Sequence, residues 1–544
     1  MSAEKNYAAA RSLYERVLAD TPDNQYALYQ LAGALEGLGA LDAAARTCER
    51  GLELSPDQPA LLHRRGGIAF RRQQFVLALE IFQRLKALHP DFPLIDAMIA
   101  DQLASLGRGS EAIEAFDRAL ADAPDAVRLQ SDRLFVLNYF GLLSRKELFE
   151  QHRRWGAAHE AQLRSHWRPH GQSRDPERKL RLGYVSADLR QHAVAYFIEG
   201  VLQNHDRRRF EVHAFDVSPY AADDVTTRLS AYCDHWHRLG ESSDDEVARV
   251  IRERQIDVLV DLSGHTAYNR LLVFARRPAP VQVGWFGYMN TTGLTSIDYR
   301  LTDASLDPPG ISDDFYTEEL VRLPAAACFQ PDPGGPEVGE LPAIRNGYIR
   351  MASANQWTKV TDTTKDVWTR ILRDLPNARL VVVARGGSDA AVRASITSEF
   401  VRRGAAPGQI EVVEFRPIRS FLAFLNDIDF ALDPFPYGGG TTSLHTTWMG
   451  VPIVTLESES ELGRSTPNIL RTLGAGELVA HDVEAYRTIA LKLAGDVARL
   501  QGYRRELRER FRRSPLMDSV PLTRNVEAAF RMMWRRYCAV QEAL

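Results

Sequence analysis

Four prolines near the start of this 544-residue chain stand 34 residues apart: Pro22, Pro56, Pro90 and Pro124. Two further columns keep the same register, one of small residues and one mostly aromatic: Ala10, Ala44, Ala78 and Ala112, and Tyr14, Cys48, Phe82 and Phe116. Small residues let two helices approach, large ones fill the gap between them, and proline ends the second helix of each pair. The period therefore predicts a stack of helix pairs.

A helix-pair period of this length is that of the tetratricopeptide repeat. We assign residues 1–160 to such an array; residues 126–160 keep a helical pattern but lose the repeat, as expected where an array ends. These arrays present a concave surface that binds peptides or protein partners, and bracing the next domain or forming a dimer is the alternative role. An array does no chemistry, so any catalysis must lie further along.

After a polar linker at residues 161–178, apolar strands alternate with helices, which predicts parallel sheets of an α/β fold. The predicted strands are residues 180–186, 210–215, 256–262, 348–352, 379–384, 410–413, 429–432 and 452–456. A Pro- and Gly-rich segment (324–341) divides the series. We expect one Rossmann-like lobe at residues 179–325 and another at 326–544, closed by a helix at 523–540, with ligands at the carboxyl ends of the strands.

Residues 428–456 combine a strand, a glycine loop and the start of a helix. The loop and helix start contain Gly438, Gly439, Gly440, Thr441 and Thr442. Glycines allow close approach of the backbone to a ligand, and the first N–H groups of a helix favour phosphate. The sequence therefore predicts a phosphate site, the alternative being a tight turn that binds nothing. No lysine follows the glycines, so this is not a Walker P-loop.

Three other residues follow predicted strands and are candidates for chemistry. His192 and His265 each come after a strand of the first lobe, where a base or a plain loop residue is expected. Lys359 follows the first strand of the second lobe and could supply the cation that the glycine loop lacks, or be an ordinary surface lysine. Asp427-Ile428-Asp429 has the DxD form of some metal sites but leads into an apolar strand, so we expect no metal site there.

Composition excludes several classes of protein. Acidic and basic residues nearly balance, for a net charge of −4, so neither nucleic acid nor an anionic membrane surface is an expected partner. The four cysteines are far apart and form no CxxC, as in reduced thiols. The first residues are charged rather than apolar, and no long apolar run occurs. We expect a cytoplasmic protein.

Five segments together resemble the protein O-GlcNAc transferases and the SPINDLY-type O-fucosyltransferases. They are the repeat array, LRLGYVSADLRQH, residues 261–303, NQWTKV and DPFPYGGGTTSLHTTWMGVPIVTL. The resemblance implies a GT-B fold of two Rossmann-like lobes. It also implies an inverting, metal-independent enzyme that transfers GlcNAc from UDP-GlcNAc to Ser or Thr hydroxyls of an acceptor protein, with no cofactor and with the array available for a protein partner.

The resemblance also implies roles for particular residues. His192 matches the histidine proposed as base or acceptor-orienting group, and Lys359 the lysine that neutralises the leaving diphosphate. The matching donor-binding positions are Gln356, Gly439, Gly440, Thr441 and Thr442, with His265 expected to contact donor or acceptor and His445 at the ribose-binding position.

Three residues depart from the family pattern. Gly438 stands where many relatives have Asn, His445 where they usually have Asp, and Phe421 where the O-GlcNAc transferases have a histidine near the diphosphate. These departures leave two alternatives open. One is an O-fucosyltransferase that uses GDP-fucose, and the other is a tetratricopeptide adaptor whose nucleotide-binding lobes have lost most activity.

Overall fold

The structure is a computed structural model that describes residues 3–540. The helices, in chain order, are α1 (Ala3–Asp20), α2 (Gln25–Gly37), α3 (Leu41–Leu54), α4 (Pro59–Arg71), α5 (Phe75–Leu88), α6 (Ile95–Ser105), α7 (Gly109–Asp122), α8 (Val127–Phe140), α9 (Arg145–Leu163), α10 (Ala195–Asn204), α11 (Asp224–Ser230), α12 (Asp244–Glu253), α13 (Leu271–Ala275), α14 (Pro342–Asn346), α15 (Asp362–Asp374), α16 (Ala390–Val401), α17 (Ile418–Leu425), α18 (Thr441–Trp448), α19 (Ser465–Thr472), α20 (Val483–Ala494), α21 (Val497–Arg512) and α22 (Ser519–Val540). The strands are β1 (Leu180–Ser186), β2 (Phe210–Asp216), β3 (His235–Arg238), β4 (Val258–Asp261), β5 (Val281–Gly284), β6 (Tyr299–Asp303), β7 (Glu319–Leu323), β8 (Arg350–Ser353), β9 (Arg379–Ala384), β10 (Ile410–Glu414), β11 (Phe430–Leu432), β12 (Ile453–Leu456) and β13 (Val479–Ala480).

The chain forms two compact units that do not follow the predicted domain boundaries. The first unit comprises Met1–Leu129 and Asn355–Arg416, and the second comprises Gln130–Ala354 and Pro417–Leu544. Helices α8 and α9, which we assigned to the end of the array, therefore belong almost entirely to the second unit. Within the described range, no helix combines the length and apolar character needed to cross a bilayer.

Helices α1 to α7 form the repeat array of the first unit. Each consecutive pair of helices is in contact, and the four columned prolines lie just after α1, α3, α5 and α7, as the period predicts. The small and large columns form the interior of the stack: Ala44, Ala78 and Ala112 are fully buried, as are Cys48 and Phe116. The array prediction is confirmed through Asp122.

The remainder of the first unit, Asn355–Arg416, packs against the array. It contains a 3₁₀ turn (Trp357–Lys359), α15, the parallel pair β9–β10, and α16. The indole N–H of Trp357 donates to the carbonyl of Leu106 at 3.0 Å, in the turn after α6. The backbone N–H of Gly386 donates to the Gln73 side chain at 2.8 Å, in the turn after α4. These turns of the array thus hold a segment that follows much later in the sequence.

The second unit is built on a seven-stranded parallel sheet with strand order β3-β2-β1-β4-β5-β6-β7. Strand β1 lies near its centre, with Tyr184 opposite Ala214 of β2 and Val260 of β4. One core joins the central strands to α10 and α22, where Phe530, Met533 and Trp534 are fully buried. The predicted helix at 523–540 is present within α22, but over its described length it packs on this sheet and not on the strands of the second lobe, which we expected it to close.

A second set of parallel strands in this unit, β8-β11-β12-β13, carries the glycine loop. Strand β11 lies between β8 and β12, so the loop that follows Leu432 leaves the sheet from an interior strand. Helix α18 then runs back to the start of β12, through Gly450, whose positive φ of 72° suits a residue without a side chain. The predicted order of strand, glycine loop, helix and strand is confirmed.

Candidate functional site

The glycine loop is held in place by the buried carboxylate of Asp433 at the end of β11. One carboxylate oxygen accepts the N–H of Gly439 at 2.8 Å, and the other accepts the hydroxyl of Thr455 on β12, also at 2.8 Å. A Cβ on Gly438 would lie 2.6 Å from the same carboxylate, so any side chain at this position would have to displace the Asp433 carboxylate. Asp433 was not among the site residues predicted from the sequence, although its position before a proline at the end of a buried strand was an available signal.

Helix α18 begins directly after this loop, with Gly440 at the cap position. Among the described residues, no side chain caps the helix, because Gly440 has none to offer. Thr441 and Thr442 are half-buried at the first turn, while the following residues through Trp448 are buried. The first N–H groups and the positive end of the helix dipole therefore stand at a strand end, in a geometry that suits an anion such as phosphate.

His445 lies one turn into α18 in an aromatic surrounding. Its ring meets those of Tyr196 and Phe329 edge-on, each with centroids 4.9 Å apart, and that of Phe421 at 6.4 Å. The side chain is buried, and Nδ1 has no hydrogen-bond partner among the described residues. Burial lowers the pKa of His445 to about 4, so the ring is neutral at pH 7. An unsatisfied buried nitrogen is costly unless a bound hydroxyl or N–H completes it.

His192 lies in the loop between β1 and α10, and its side chain is 40% exposed. Nδ1 lies 3.6 Å from a carboxylate oxygen of Asp188 and accepts the N–H of Val194 at 3.4 Å. Partial burial lowers the pKa of His192, and Asp188 opposes that effect. The ring is therefore available as a neutral proton acceptor, with a carboxylate nearby to stabilise the cation that would form.

Tyr196 connects the His192 loop to α18. Its hydroxyl accepts a hydrogen bond from Gln191 at 3.1 Å, beside His192, while its ring packs against His445. Both predicted sites, the strand-end histidine and the glycine-loop helix, are thus joined through one side chain of α10. Tyr196 itself was not among the residues predicted from the sequence.

His265 occupies a different environment from His192. It is fully buried, with Nδ1 3.0 Å from the Ser131 hydroxyl and Nε2 2.9 Å from the carbonyl of Thr292. Trp155 and Tyr288 pack on the ring, and burial holds the pKa of His265 well below its usual range. This geometry describes a structural histidine that joins α8 to the sheet, and it gives no support to the predicted contact with donor or acceptor.

Lys359 and Gln356 belong to the first unit, at the two ends of the segment Gln356-Trp357-Thr358-Lys359. Gln356 is exposed and its carbonyl accepts the N–H of Lys359 at 3.0 Å; the lysine side chain is half-buried. Between them Trp357 is 3% exposed and is anchored to the array through Leu106. The buried Trp357 therefore fixes the position of the turn that carries Gln356 and Lys359.

The two sets of parallel strands, with a glycine loop at a helix start, form a GT-B-like fold, the class of many glycosyltransferases, and here a tetratricopeptide array precedes them. A mutant O-GlcNAc transferase of Thermobaculum terrenum has this fold: it superposes with a TM-score of 0.86 at 36% identity, over 95% of this chain and 98% of that one. The chain belongs to glycosyl transferase family 41, whose sequence profile matches residues 146–331 and 343–526. A tetratricopeptide repeat profile matches residues 2–64.

Curated relatives agree with this assignment. A Petunia hybrida protein named a probable UDP-N-acetylglucosamine–peptide N-acetylglucosaminyltransferase SPINDLY is 37% identical over 421 residues, which is 76% of this chain and 45% of that protein. An Arabidopsis thaliana protein of the same enzyme name, SEC, is 28% identical over 67% of this chain and 38% of its own length. The chain thus spans about half the length, or less, of these curated relatives.

Proposed function

We propose that this chain is an inverting protein O-glycosyltransferase that moves GlcNAc from UDP-GlcNAc to Ser or Thr hydroxyls. The proposal rests on the start of α18, which no described side chain caps. The glycine loop before it is held by the hydrogen bond from the Gly439 N–H to the Asp433 carboxylate. In a member of family 41, the natural occupant of such an anion site is the diphosphate of a nucleotide sugar.

The start of α18 would stabilise the departing diphosphate. Charge develops on the leaving oxygens as the sugar bond breaks, and fixed N–H groups of Thr441 and Thr442 require little reorganisation to meet it. Lys359 supplies the compensating cation and Gln356 contacts the donor, as the family resemblance implies. Together these groups do the work that a divalent ion does in other transferases, so the proposed reaction needs no metal.

His192 would act on the acceptor. The hydroxyl attacks the anomeric carbon in line from the face opposite the diphosphate, which inverts the configuration, and the neutral ring accepts or orients its proton. Asp188, 3.6 Å from Nδ1, stabilises the imidazolium that results. The pKa of His192 is lowered by burial, so a useful fraction of the ring is neutral at physiological pH.

His445 would contact the ribose in place of the family's usual aspartate. A neutral imidazole offers its unsatisfied Nδ1 to one hydroxyl, whereas a carboxylate would bring a charge among Tyr196, Phe329 and Phe421. We expect donor affinity to depend on this residue. His265 stays a predicted donor or acceptor contact only if the buried ring is released from Ser131 and Thr292.

The relatives' names support UDP-GlcNAc over GDP-fucose as donor.

We further propose that the array recruits the acceptor or another protein partner, since helix-pair arrays bind peptides on their concave face. The four cysteines are all free thiols in the structure, which suits the reducing cytoplasm.

The test measures donor hydrolysis and UDP affinity on the full chain, with UDP-GlcNAc and GDP-fucose run side by side. We expect Lys359→Ala to abolish turnover. Thr442→Ala keeps the backbone N–H but removes the hydroxyl that would donate beside it at the start of α18, so UDP binding should weaken. Lys492→Ala, a replacement of an exposed lysine of α20, serves as the matched control for Lys359→Ala. Unchanged turnover in Lys359→Ala and unchanged binding in Thr442→Ala would refute the site. Faster turnover with GDP-fucose would reassign the donor.

The departures at His445 and Phe421 favour one second candidate, a binding module with little activity. Both residues pack within the aromatic surroundings of α18, where relatives carry polar groups. Calorimetric titration of the wild-type chain with UDP separates the two functions, because an adaptor that has lost its donor site would show no binding at millimolar UDP.

A further inference from the structure

A group of three histidines and a glutamate lies at the edge of the seven-stranded sheet, away from the residues assigned to transfer. Strand β2 contributes Glu211 and His213, and the edge strand β3 contributes His235 and His237. Residues two apart in a strand share a face, so each pair projects to one side. Because His213 lies directly opposite His235 in the register, all four share that side.

The distances bring the potential ligand atoms together. One carboxylate oxygen of Glu211 lies 3.0 Å from Nε2 of His213 and 3.2 Å from Nε2 of His235. One ligand atom from each of these three residues lies within 4.8 Å of the other two. The second carboxylate oxygen of Glu211 faces Arg181 at 3.6 Å, which leaves the first oxygen to the histidines.

The group is open to solvent on one side. His213 is buried and Glu211 is half-buried, whereas the side chain of His235 is 47% exposed. An ion can therefore reach the three ligand atoms from the side of the edge strand.

We propose that Glu211, His213 and His235 bind a zinc ion that ties the edge strand β3 to β2. Two imidazoles and one carboxylate are a ligand set that Zn²⁺ prefers, and they leave a fourth position for water. The ion would replace the hydrogen bonds that now converge on one oxygen of Glu211. Zinc lies about 2.0–2.2 Å from nitrogen and carboxylate ligands, so the three ligand atoms would need to move only a short distance to bind one ion.

His237 would position one ligand without binding the metal. Its Nε2 lies 3.3 Å from Nδ1 of His213, the nitrogen that faces away from Glu211, and its ring stacks on Phe215 with centroids 4.9 Å apart. Metal-binding histidines commonly hydrogen-bond through their second nitrogen, which fixes the ring orientation. His237 therefore provides the hydrogen bond that would fix the orientation of the His213 ring as it binds the metal.

The experiment uses the full chain, stripped with EDTA and titrated with Zn²⁺ against a chelating dye. We expect wild type to bind one equivalent more than His235→Ala or Glu211→Gln, and Zn²⁺ to raise the Tm of wild type but not of His235→Ala. Co²⁺ in place of zinc should give visible absorption of a low-coordinate site that is absent from His235→Ala. The matched control is His481→Ala, an exposed histidine in the other set of strands of the second unit.

Equal zinc binding by wild type and His235→Ala would overturn the proposal, as would an equal loss in His481→Ala, which would indicate adventitious binding at surface histidines. His235 is exposed, so its replacement tests ligand loss rather than folding, and an unchanged Tm in EDTA checks this. UDP binding should not change in either variant, so the outcome is independent of the proposed transfer.

Discussion

Replacing Trp357 with phenylalanine tests whether the repeat array supports the predicted donor-binding turn. The change keeps a buried aromatic ring but removes the N–H that donates to the Leu106 carbonyl at 3.0 Å. The buried carbonyl of Leu106 then has no donor, and an unsatisfied buried acceptor costs about 1–3 kcal/mol in total. The smaller ring adds a cavity term of about 1 kcal/mol. The first unit should therefore lose about 2–4 kcal/mol of stability.

For a unit of this size, each kcal/mol shifts Tm by about 2–4 °C, so calorimetry should show a fall of about 4–16 °C in one transition. Lys359 ends the same 3₁₀ turn, so we expect kcat for donor hydrolysis to fall by about tenfold or more through misplacement of its charge. The matched control is Trp534→Phe, which removes an indole N–H bond of 3.1 Å to the Asp175 carbonyl in the second unit.

The control should lose stability without a comparable loss of kcat. An unchanged Tm in Trp357→Phe would contradict the energetic reasoning. Two results would refute a specific role of the array in placing the turn Trp357–Lys359. One is a fall in the Tm of Trp357→Phe with its kcat unchanged, and the other is an equal loss of kcat in Trp534→Phe.

Three further predictions concern the second unit. Thr455→Val removes the hydroxyl that donates to Asp433 and so loosens the support of the glycine loop. A hydrogen bond to a charged group contributes about 1.5–3 kcal/mol, so calorimetry should show UDP affinity falling by about tenfold or more. An unchanged Kd would exclude this support role of Thr455. The pKa of His445 is about 4 in the folded state, below the usual 6.5. The neutral ring therefore contributes to the stability of the fold above pH 6.5, and this contribution is lost as the pH falls towards 4. The Tm of His445→Gln should depend less on pH over that range than the Tm of wild type does. Arg300 pairs with the buried Glu461 at 2.8 Å, so Arg300→Met leaves that carboxylate without its charged partner and with the hydrogen bond from the Tyr316 hydroxyl at 2.9 Å. The variant should lose about 3–5 kcal/mol in denaturant unfolding, whereas a loss near zero would show that water reaches the pair.

Features with a local physical cause could be predicted from the sequence. The proline columns mark helix ends because a proline cannot continue a helix, and each lies just after a helix of the array. The glycine loop was recognisable because glycines at a strand end followed by threonines have few other uses. Strand β9 has the predicted bounds because its apolar run is continuous.

Features that depend on distant contacts could not. Strand β3 was missed because its exposed edge carries His235, Trp236 and His237 rather than an apolar run. Local sequence placed His265 at a strand end like His192, but its burial comes from Ser131 and Trp155 on helices well before it in the chain. The division into two units rests on contacts such as Leu106 with Trp357, which lie 251 residues apart.

The discontinuous first unit has a consequence for synthesis on the ribosome. The helices of Met1–Leu129 emerge before the second unit, yet the segment that covers the turns at Gln73 and Leu106 is translated only after most of the second unit's sheet. During that interval the nascent array presents an unfinished surface to chaperones and to neighbouring chains. A truncated chain ending at Leu129 would keep that surface permanently, so expression of the isolated repeats should suffer from aggregation that the intact chain avoids.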